Sequence, residues 1–202
     1  MDIVLLCILA YLLGSIPSGV WIGKIFYNKD IRELGSGNTG ATNTFRNLGP
    51  KAGTAALIMD VLKGSIATLI PICLGTEIHP IFIGFFAILG HIFSIFLKFQ
   101  GGKAAATTAG VGLAIQPLFV FIFILVFILI LFISSTVSVA SIVTFPIAAI
   151  FSLLLLDDPV FSTFIFILAA IIIYLHRSNI RRLIDGTESR VPFGLRSSKK
   201  NK

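Results

Sequence analysis

Six long apolar runs, at residues 3–22, 52–74, 80–97, 117–133, 139–156 and 159–175, set the pattern of this chain. None has the strict two-residue alternation of a membrane β-strand, so each predicts a helix. Each also approaches the roughly 17–25 residues that carry a helix across hydrocarbon. A seventh, shorter run, AAATTAGVGLAIQ at 104–116, covers only about 20 Å at about 1.5 Å per residue. Charge decides whether it crosses. With residue 1 outside, seven crossings place 24–51, 98–103, 134–138 and everything after His176 in the cytoplasm. The outside then receives Asp2, 75–79, 116–117 and 157–158, which contain no Lys or Arg. Leaving the short run out would carry the basic C-terminal stretch outside, against the positive-inside rule. The short run is therefore expected to cross as a small-residue helix buried among its neighbours.

Composition agrees with this pattern. Hydrophobic residues are 56% of the 202 and charged residues 12%, the latter about half the usual quarter. Mean hydropathy is +0.99. A soluble globule, a disordered chain and a soluble secreted protein are all excluded. The expected fold is an all-α integral membrane protein with seven transmembrane helices, the N-terminus outside and the C-terminus cytoplasmic. The net charge of +7 reads as positive-inside bias, not as a nucleic-acid surface. Cys7 and Cys73 lie in apolar runs with no C-x-x-C and no disulfide framework. No basic leader precedes the first run, which reads as a span and not as a cleaved signal. With no linker or long repeat, the expectation is one domain, 1–196, followed by a solvated basic tail, 197–202, near anionic lipid.

The unusual polar residues gather at four places, all cytoplasmic in this topology. GSGNTGATN at 35–43, followed by Arg46, contains G-x-G-x-x-G without the strand that a dinucleotide fold requires. Such glycines turn successive N–H groups toward one point, and Ser, Thr and Asn add donors around an anion; alone, the segment also fits a flexible turn. KFQGGK at 98–103 precedes the short helix expected from Ala104, combining backbone donors, a helix N-terminus and a cation, a combination that suits a phosphate. An interfacial anchor is the plainer alternative. His176, Arg177, Ser178 and Asn179, then Arg181 and Arg182, follow the last span. Ser138 and Ser141 form the fourth group, which helix packing alone explains. Inside the spans, Asp60 and Lys63 stand three apart on one face, as a self-satisfied pair or as a site. His91 reads as a hydrogen-bonded core histidine. No HExxH, Asp-rich box or nucleophile elbow occurs. The residues describe a phosphate-handling site beside hydrocarbon: an enzyme, or an organic-phosphate transporter, whose site would sit nearer the midplane. A lipid-binding scaffold explains the Gly-rich loops less well.

These residues resemble a known family, the bacterial membrane acyltransferases that acylate glycerol 3-phosphate from acyl-phosphate. The matching stretches are GSIPSG (14–19), IRELGSGNTGATN (31–43) with Arg46 and Gly49, LIMDVLKG (57–64), GHIFSIFLKFQGGKAAAT (90–107), VSVASI (137–142) and HRSNIRRLIDGTE (176–188). The resemblance implies a seven-helix fold in the bacterial plasma membrane with its active site facing the cytoplasm. It implies acyl transfer to the 1-hydroxyl of glycerol 3-phosphate, giving lysophosphatidic acid and inorganic phosphate, with no metal and no cofactor. Catalytic roles are implied for Ser36, Arg46, Lys103, His176 and Asn179. Substrate contacts are implied for Gly37, Asn38, Thr42, Asn43, Gly101, Gly102, Ser141 and Glu188. The implied partners are the two substrates, membrane lipid and a soluble enzyme that makes acyl-phosphate, and not nucleic acid. Three places depart from the family pattern: Ser18 for an aromatic residue, Ser94 for Pro, and Ala104–Ala105 for Gly–Val. An acyl-phosphate is a mixed anhydride with a good leaving group, so orientation and charge stabilisation suffice without a covalent intermediate. The general base is either His176 or a substrate phosphate oxygen; a cation-rich pocket makes an imidazole the poorer base, which favours the phosphate.

Overall fold

The computed structural model describes residues 2–197; Met1 and residues 198–202, most of the basic tail, lie outside the described residues. Among the described residues every regular element is helical. The chain forms two compact units, Met1–Pro117 and Leu118–Lys202.

The first unit contains α1 (Ile3–Ser15), α2 (Ser18–Tyr27), α3 (Ala41–Leu48), α4 (Pro50–Cys73), α5 (Pro80–Ile92) and α6 (Ala105–Ile115). Single-turn 3₁₀ segments lie at Ile31–Glu33 and Ile95–Leu97. Proline opens α4 and α5, where its fixed φ suits a first turn that has no acceptor for its missing N–H. Hydrophobicity alone predicted one helix over 3–22. The structure breaks it at Ile16–Pro17 and bends the two parts by 44°: Pro17 has no N–H to continue the ladder, and the Ile16 carbonyl accepts from Lys63 Nζ instead.

Small residues decide which helices touch. A Cβ on Gly14 would overlap the backbone of Ala87, and one on Gly90 would overlap the carbonyl of Tyr11, so α1 and α5 cross in backbone contact. Gly64 and Gly110 do the same for α4 and α6, against the carbonyls of Thr107 and Val61. Ser65 Oγ adds a 2.8 Å hydrogen bond to the Gly110 carbonyl. Close small-residue packing of this kind replaces the hydrophobic drive that is missing between helices in lipid. The short helix α6 is thereby buried along Thr107, Thr108, Gly110, Val111 and Gly112.

The second unit contains α7 from Leu118 of Pro117–Ser134, α8 (Val137–Leu155), α9 (Pro159–Leu175) and α10 (Arg177–Ile184). Phe119 packs edge-on against Phe161 with ring centroids 6.1 Å apart. Asp158 Oδ1 caps α9 by accepting from the Phe161 N–H at 2.9 Å. After α10 the chain returns along the end of α7, where the N–H groups of Val191 and Leu195 each reach a carbonyl, Ser135 and Phe132, at 2.8 Å. These bonds satisfy acceptors that a helix C-terminus leaves open. Four segments, Pro50–Cys73, Pro80–Leu97, Pro117–Ser134 and Val137–Leu155, are long and apolar enough to cross a membrane; counting each bent pair, α1 with α2 and α9 with α10, gives six. On α7 the residues Leu118, Leu125 and Leu129 are more than half exposed, a surface suited to hydrocarbon and not to water.

Candidate active site

Asn43 organises the first polar loop. It is buried at 1% exposure on the first turn of α3. Its Oδ1 accepts from the Ser36 N–H at 3.1 Å and from Asn47 Nδ2 at 2.9 Å. Its Nδ2 lies 3.0 Å from each of three carbonyls, those of Ile31, Leu34 and Asn38. Two N–H bonds serve three acceptors, so one is shared. Gly35 (φ 57) and Gly37 (φ 69) take left-handed turns around this amide, conformations cheap only for glycine. Asn38 Oδ1 closes the next turn by accepting from the Gly40 N–H at 2.9 Å. The loop base is held by Asp30, which accepts from Arg32 Nη2 at 2.6 Å and Lys24 Nζ at 3.2 Å. The Arg32 hydrogen bonds hold the Asp30 carboxyl well below the usual carboxylate range. Ser36 and Arg46 remain exposed, and Thr42 is half-buried.

The second loop is anchored on the end of α5. Gly101 N–H donates to the Ile92 carbonyl at 2.9 Å, and Gly102 N–H to the His91 carbonyl at 3.0 Å. Sequence reasoning offered these donors to an anion; the chain itself uses them. The reason for two glycines is space: a Cβ on Gly101 would overlap the His91 carbonyl, and one on Gly102 would overlap the His91 ring. The backbone donors that remain here are the first-turn N–H groups of α6, which lack intrahelical acceptors, beside half-buried Lys103. Ala104, the residue that caps α6, has φ 57, a conformation costing an L-residue roughly 1–2 kcal/mol. Ala104→Gly is expected to raise stability by up to about 1 kcal/mol after the backbone entropy of glycine is set against that strain. Thermal unfolding in detergent checks this.

In the second unit Glu188 gathers three donors. Its Oε1 accepts from Ser138 Oγ at 2.8 Å and Asn179 Nδ2 at 2.7 Å, and its Oε2 from Arg182 Nε at 2.7 Å. Burial pushes this carboxyl up, but the hydrogen bonds from Asn179, Ser138 and Arg182 outweigh it and hold it below its ordinary value. His176, buried at the bend between α9 and α10, places Nδ1 2.8 Å from the Ile172 carbonyl. A carbonyl only accepts, so the ring proton sits on Nδ1 and the lone pair on Nε2 in the neutral ring. Ser141 is buried, and its hydroxyl donates to the Val137 carbonyl at 3.1 Å, within its own helix.

Against this geometry, residues 4–186 match the family model described as glycerol-3-phosphate acyltransferase. The chain belongs to the glycerol-3-phosphate acyltransferase family. Proteins of that name from Streptococcus thermophilus (50% identical, covering 100% of this chain and 99% of the relative) and Enterococcus faecalis (48%; 98% and 96%) are similar over their whole length. The fold is similar to crystal structures of PlsY (YgiH), an integral membrane glycerol 3-phosphate acyltransferase. Its glycerol 3-phosphate form superposes with a TM-score of 0.87 at 39% identity, covering 93% of this chain and 94% of that one. Its lysophosphatidic acid form gives 0.82 at 38%. This family member is a multi-pass membrane protein.

Of the family-implied residues, Ser36, Gly37, Asn38, Thr42, Asn43 and Arg46 share the loop and helix that Asn43 ties together. Gly101, Gly102 and Lys103 share the second loop. A small cavity lined by both Thr39 and Gly101 brings these two loops of the first unit together. Asn179 and Glu188 are joined directly; Ser141 points its hydroxyl back into α8. Asp60, Lys63, Ser138 and Arg182, polar residues conspicuous in the sequence, stand outside the set that the resemblance implies, and each is hydrogen-bonded or ion-paired here. The signal for Ser138 was its place one turn from Ser141. Arg182 needed the turn at Gly186 (φ 69) to bring Glu188 back to it. Two departures from the family pattern carry hydrogen bonds here: Ser18 Oγ to Asp60 at 2.8 Å and Ser94 Oγ to the Ser15 carbonyl at 2.5 Å.

Proposed function

We propose that this chain transfers a fatty acyl group from acyl-phosphate to the 1-hydroxyl of glycerol 3-phosphate. The hydroxyl oxygen bonds to the acyl carbon, the bond from that carbon to the phosphate oxygen breaks, and lysophosphatidic acid and inorganic phosphate leave. The observation that carries this reading is the similarity, over 93% of this chain, to PlsY, whose crystal structures are of a glycerol 3-phosphate form and a lysophosphatidic acid form. Those two molecules differ by one acyl group on a glycerol hydroxyl. In this proposal Ser36, Arg46, Lys103 and the α6 N-terminus bind phosphate oxygens. His176 Nε2 and Asn179 orient the acceptor, and a phosphate oxygen takes the hydroxyl proton. Gly37, Asn38, Thr42, Asn43, Gly101 and Gly102 shape the phosphate loops, while Ser141 and Glu188 support the His176 and Asn179 side. The transporter reading has no observation in its favour.

The proposal includes seven crossings: the four long segments, the two bent pairs and α6. The N-terminus is outside, the site faces the cytoplasm of a bacterial plasma membrane, and residues 1–196 act as one catalytic domain. A soluble enzyme making acyl-phosphate is the proposed supplier of the donor. The test is phosphate release by purified protein in lipid, given glycerol 3-phosphate and palmitoyl phosphate, with palmitoyl-CoA as control donor. Release with acyl-phosphate only is expected. Arg46→Ala and Lys103→Ala each remove one cation from a developing phosphate charge and are expected to slow release about 10²-fold, the scale of losing one preorganised electrostatic contact. Equal rates with the CoA donor would overturn the donor assignment.

A further inference from the structure

Asp60 and Lys63 of α4 are both buried, with 3% and 4% of their side chains exposed, and pair at 2.9 Å. The pair does not stand alone. Asp60 Oδ1 also accepts from Ser18 Oγ at 2.8 Å, on the first turn of α2, and lies 3.6 Å from His91 Nδ1. Lys63 Nζ donates to the Ile16 carbonyl at 3.0 Å, at the break between α1 and α2. His91 Nδ1 lies 3.1 Å from Thr107 Oγ1 on α6, and the carbonyl of the same His91 holds Gly102. One charge pair thus bears on the α1–α2 break, the end of α5, the second loop and α6.

Two other roles fit less well. A buried ion pair is weak evidence for stability, since an apolar pair of similar volume is often neutral or better. Nor is it a substrate site: the adjoining cavity, about 10 Å³ and lined by Thr39, Lys63, His91 and Gly101 among others, has room for about one water and excludes a phosphate. We propose that Asp60 and Lys63 are positioning residues that fix the α1–α2 break and, through His91, the 98–104 loop, so that Lys103 and the α6 N-terminus meet the substrate phosphate in one geometry. This rests on the function proposed above.

The test compares wild type with Asp60→Leu/Lys63→Met, which replaces both charges by apolar groups, and with Ser18→Ala, which removes one donor to Asp60. Three quantities are measured in lipid: melting temperature, amide hydrogen exchange at Gly101 and Gly102, and the steady-state constants for glycerol 3-phosphate. The expected result for the double variant is a melting temperature within a few degrees of wild type. Exchange at the two glycines rises at least tenfold, and kcat/KM falls at least tenfold. Ser18→Ala moves the same way by a smaller factor. Wild-type exchange and constants in a folded double variant would overturn the proposal. So would a lowered melting temperature with wild-type constants in the folded fraction, which is what a merely structural pair produces. If the double variant does not fold, wild-type exchange and constants in Ser18→Ala overturn it instead. Exchange needs no substrate, so a wild type inactive with acyl-phosphate would refute the proposed reaction and leave the positioning role to be decided by exchange.

Discussion

Asn43→Asp is expected to be more damaging than Asn43→Ala and to abolish phosphate release, a loss above about 10³-fold. The aspartate keeps the oxygen that accepts from Ser36 N–H and Asn47. It puts a second, negatively charged oxygen where Nδ2 now faces the carbonyls of Ile31, Leu34 and Asn38 at 3.0 Å. Acceptor would face acceptor three times in a site with 1% exposure. Alanine takes the amide away from the Asn38 carbonyl and the Ser36 N–H, at roughly 1–3 kcal/mol for each buried group that finds no water, while the Ile31 and Leu34 carbonyls keep the N–H groups of Leu34 and Gly37; it adds no repulsion. A 1 Å displacement of positioning groups costs about 10²-fold in rate, and here the loss falls on the loop that carries Ser36 and on the helix that carries Arg46. Rates and melting temperatures of the two variants decide the matter. A substrate-binding role for Asn43 alone predicts a raised KM, unchanged melting temperature and Asp no worse than Ala. That outcome would favour the substrate contact that the resemblance implies for Asn43.

How much of this was legible beforehand differs from element to element. The long apolar runs and the helix starts at Pro80, Pro117 and Pro159 were open to reading, because hydropathy and proline act locally; the second run, read from residue 52, begins as a helix two residues earlier at Pro50. The short helix α6 was found by charge parity, and its burial against α4 agrees with its Gly, Ala and Thr content. The break at Ile16–Pro17 was missed, since apolar residues dominate 3–22 on both sides of it and a proline inside a membrane helix produces anything from a kink to a break. What turns it into a break is distant: the Ile16 carbonyl is taken by Lys63, 47 positions along the chain.

The site was legible as a set of residues and not as a set of roles. GSGNTGATN announces an anion loop, yet nothing local says that Asn43 faces inward while Ser36 stays exposed. GGK suggested backbone donors, but the two glycine N–H groups hold α5 and the glycines make room for His91. Asp60 and His91, 31 residues apart, looked like separate core oddities until packing of α4 and α5 joined them. In each case the missing information was which partner a polar group meets at long range.

Glu188→Gln is expected to slow the reaction about 10³-fold while Arg182→Ala slows it only about tenfold. Glutamine keeps the shape of Glu188 but turns one acceptor into a donor. Whichever way the amide points, an N–H then faces either Arg182 Nε or the pair Ser138 Oγ and Asn179 Nδ2, all now within 2.8 Å of the carboxylate. The hold on Asn179 Nδ2 is thereby loosened, and geometry errors in a positioning group of about 1 Å carry about 10²-fold each. Losing Arg182 removes only one donor, and its side chain, 33% exposed, is the part of the cluster that water replaces. The pH dependence gives an independent check. Because the Glu188 carboxyl is held below its ordinary value, its contribution to stability is full above the unfolded value of about 4.3. That contribution is lost as pH falls through the lowered native value. Glu188→Gln has no proton to bind there, so its melting temperature should fall less steeply than that of wild type as the medium is acidified below pH about 4.3. Parallel acid profiles, or a Glu188→Gln rate within threefold of wild type, would mean that Asn179 is held by something other than this carboxylate.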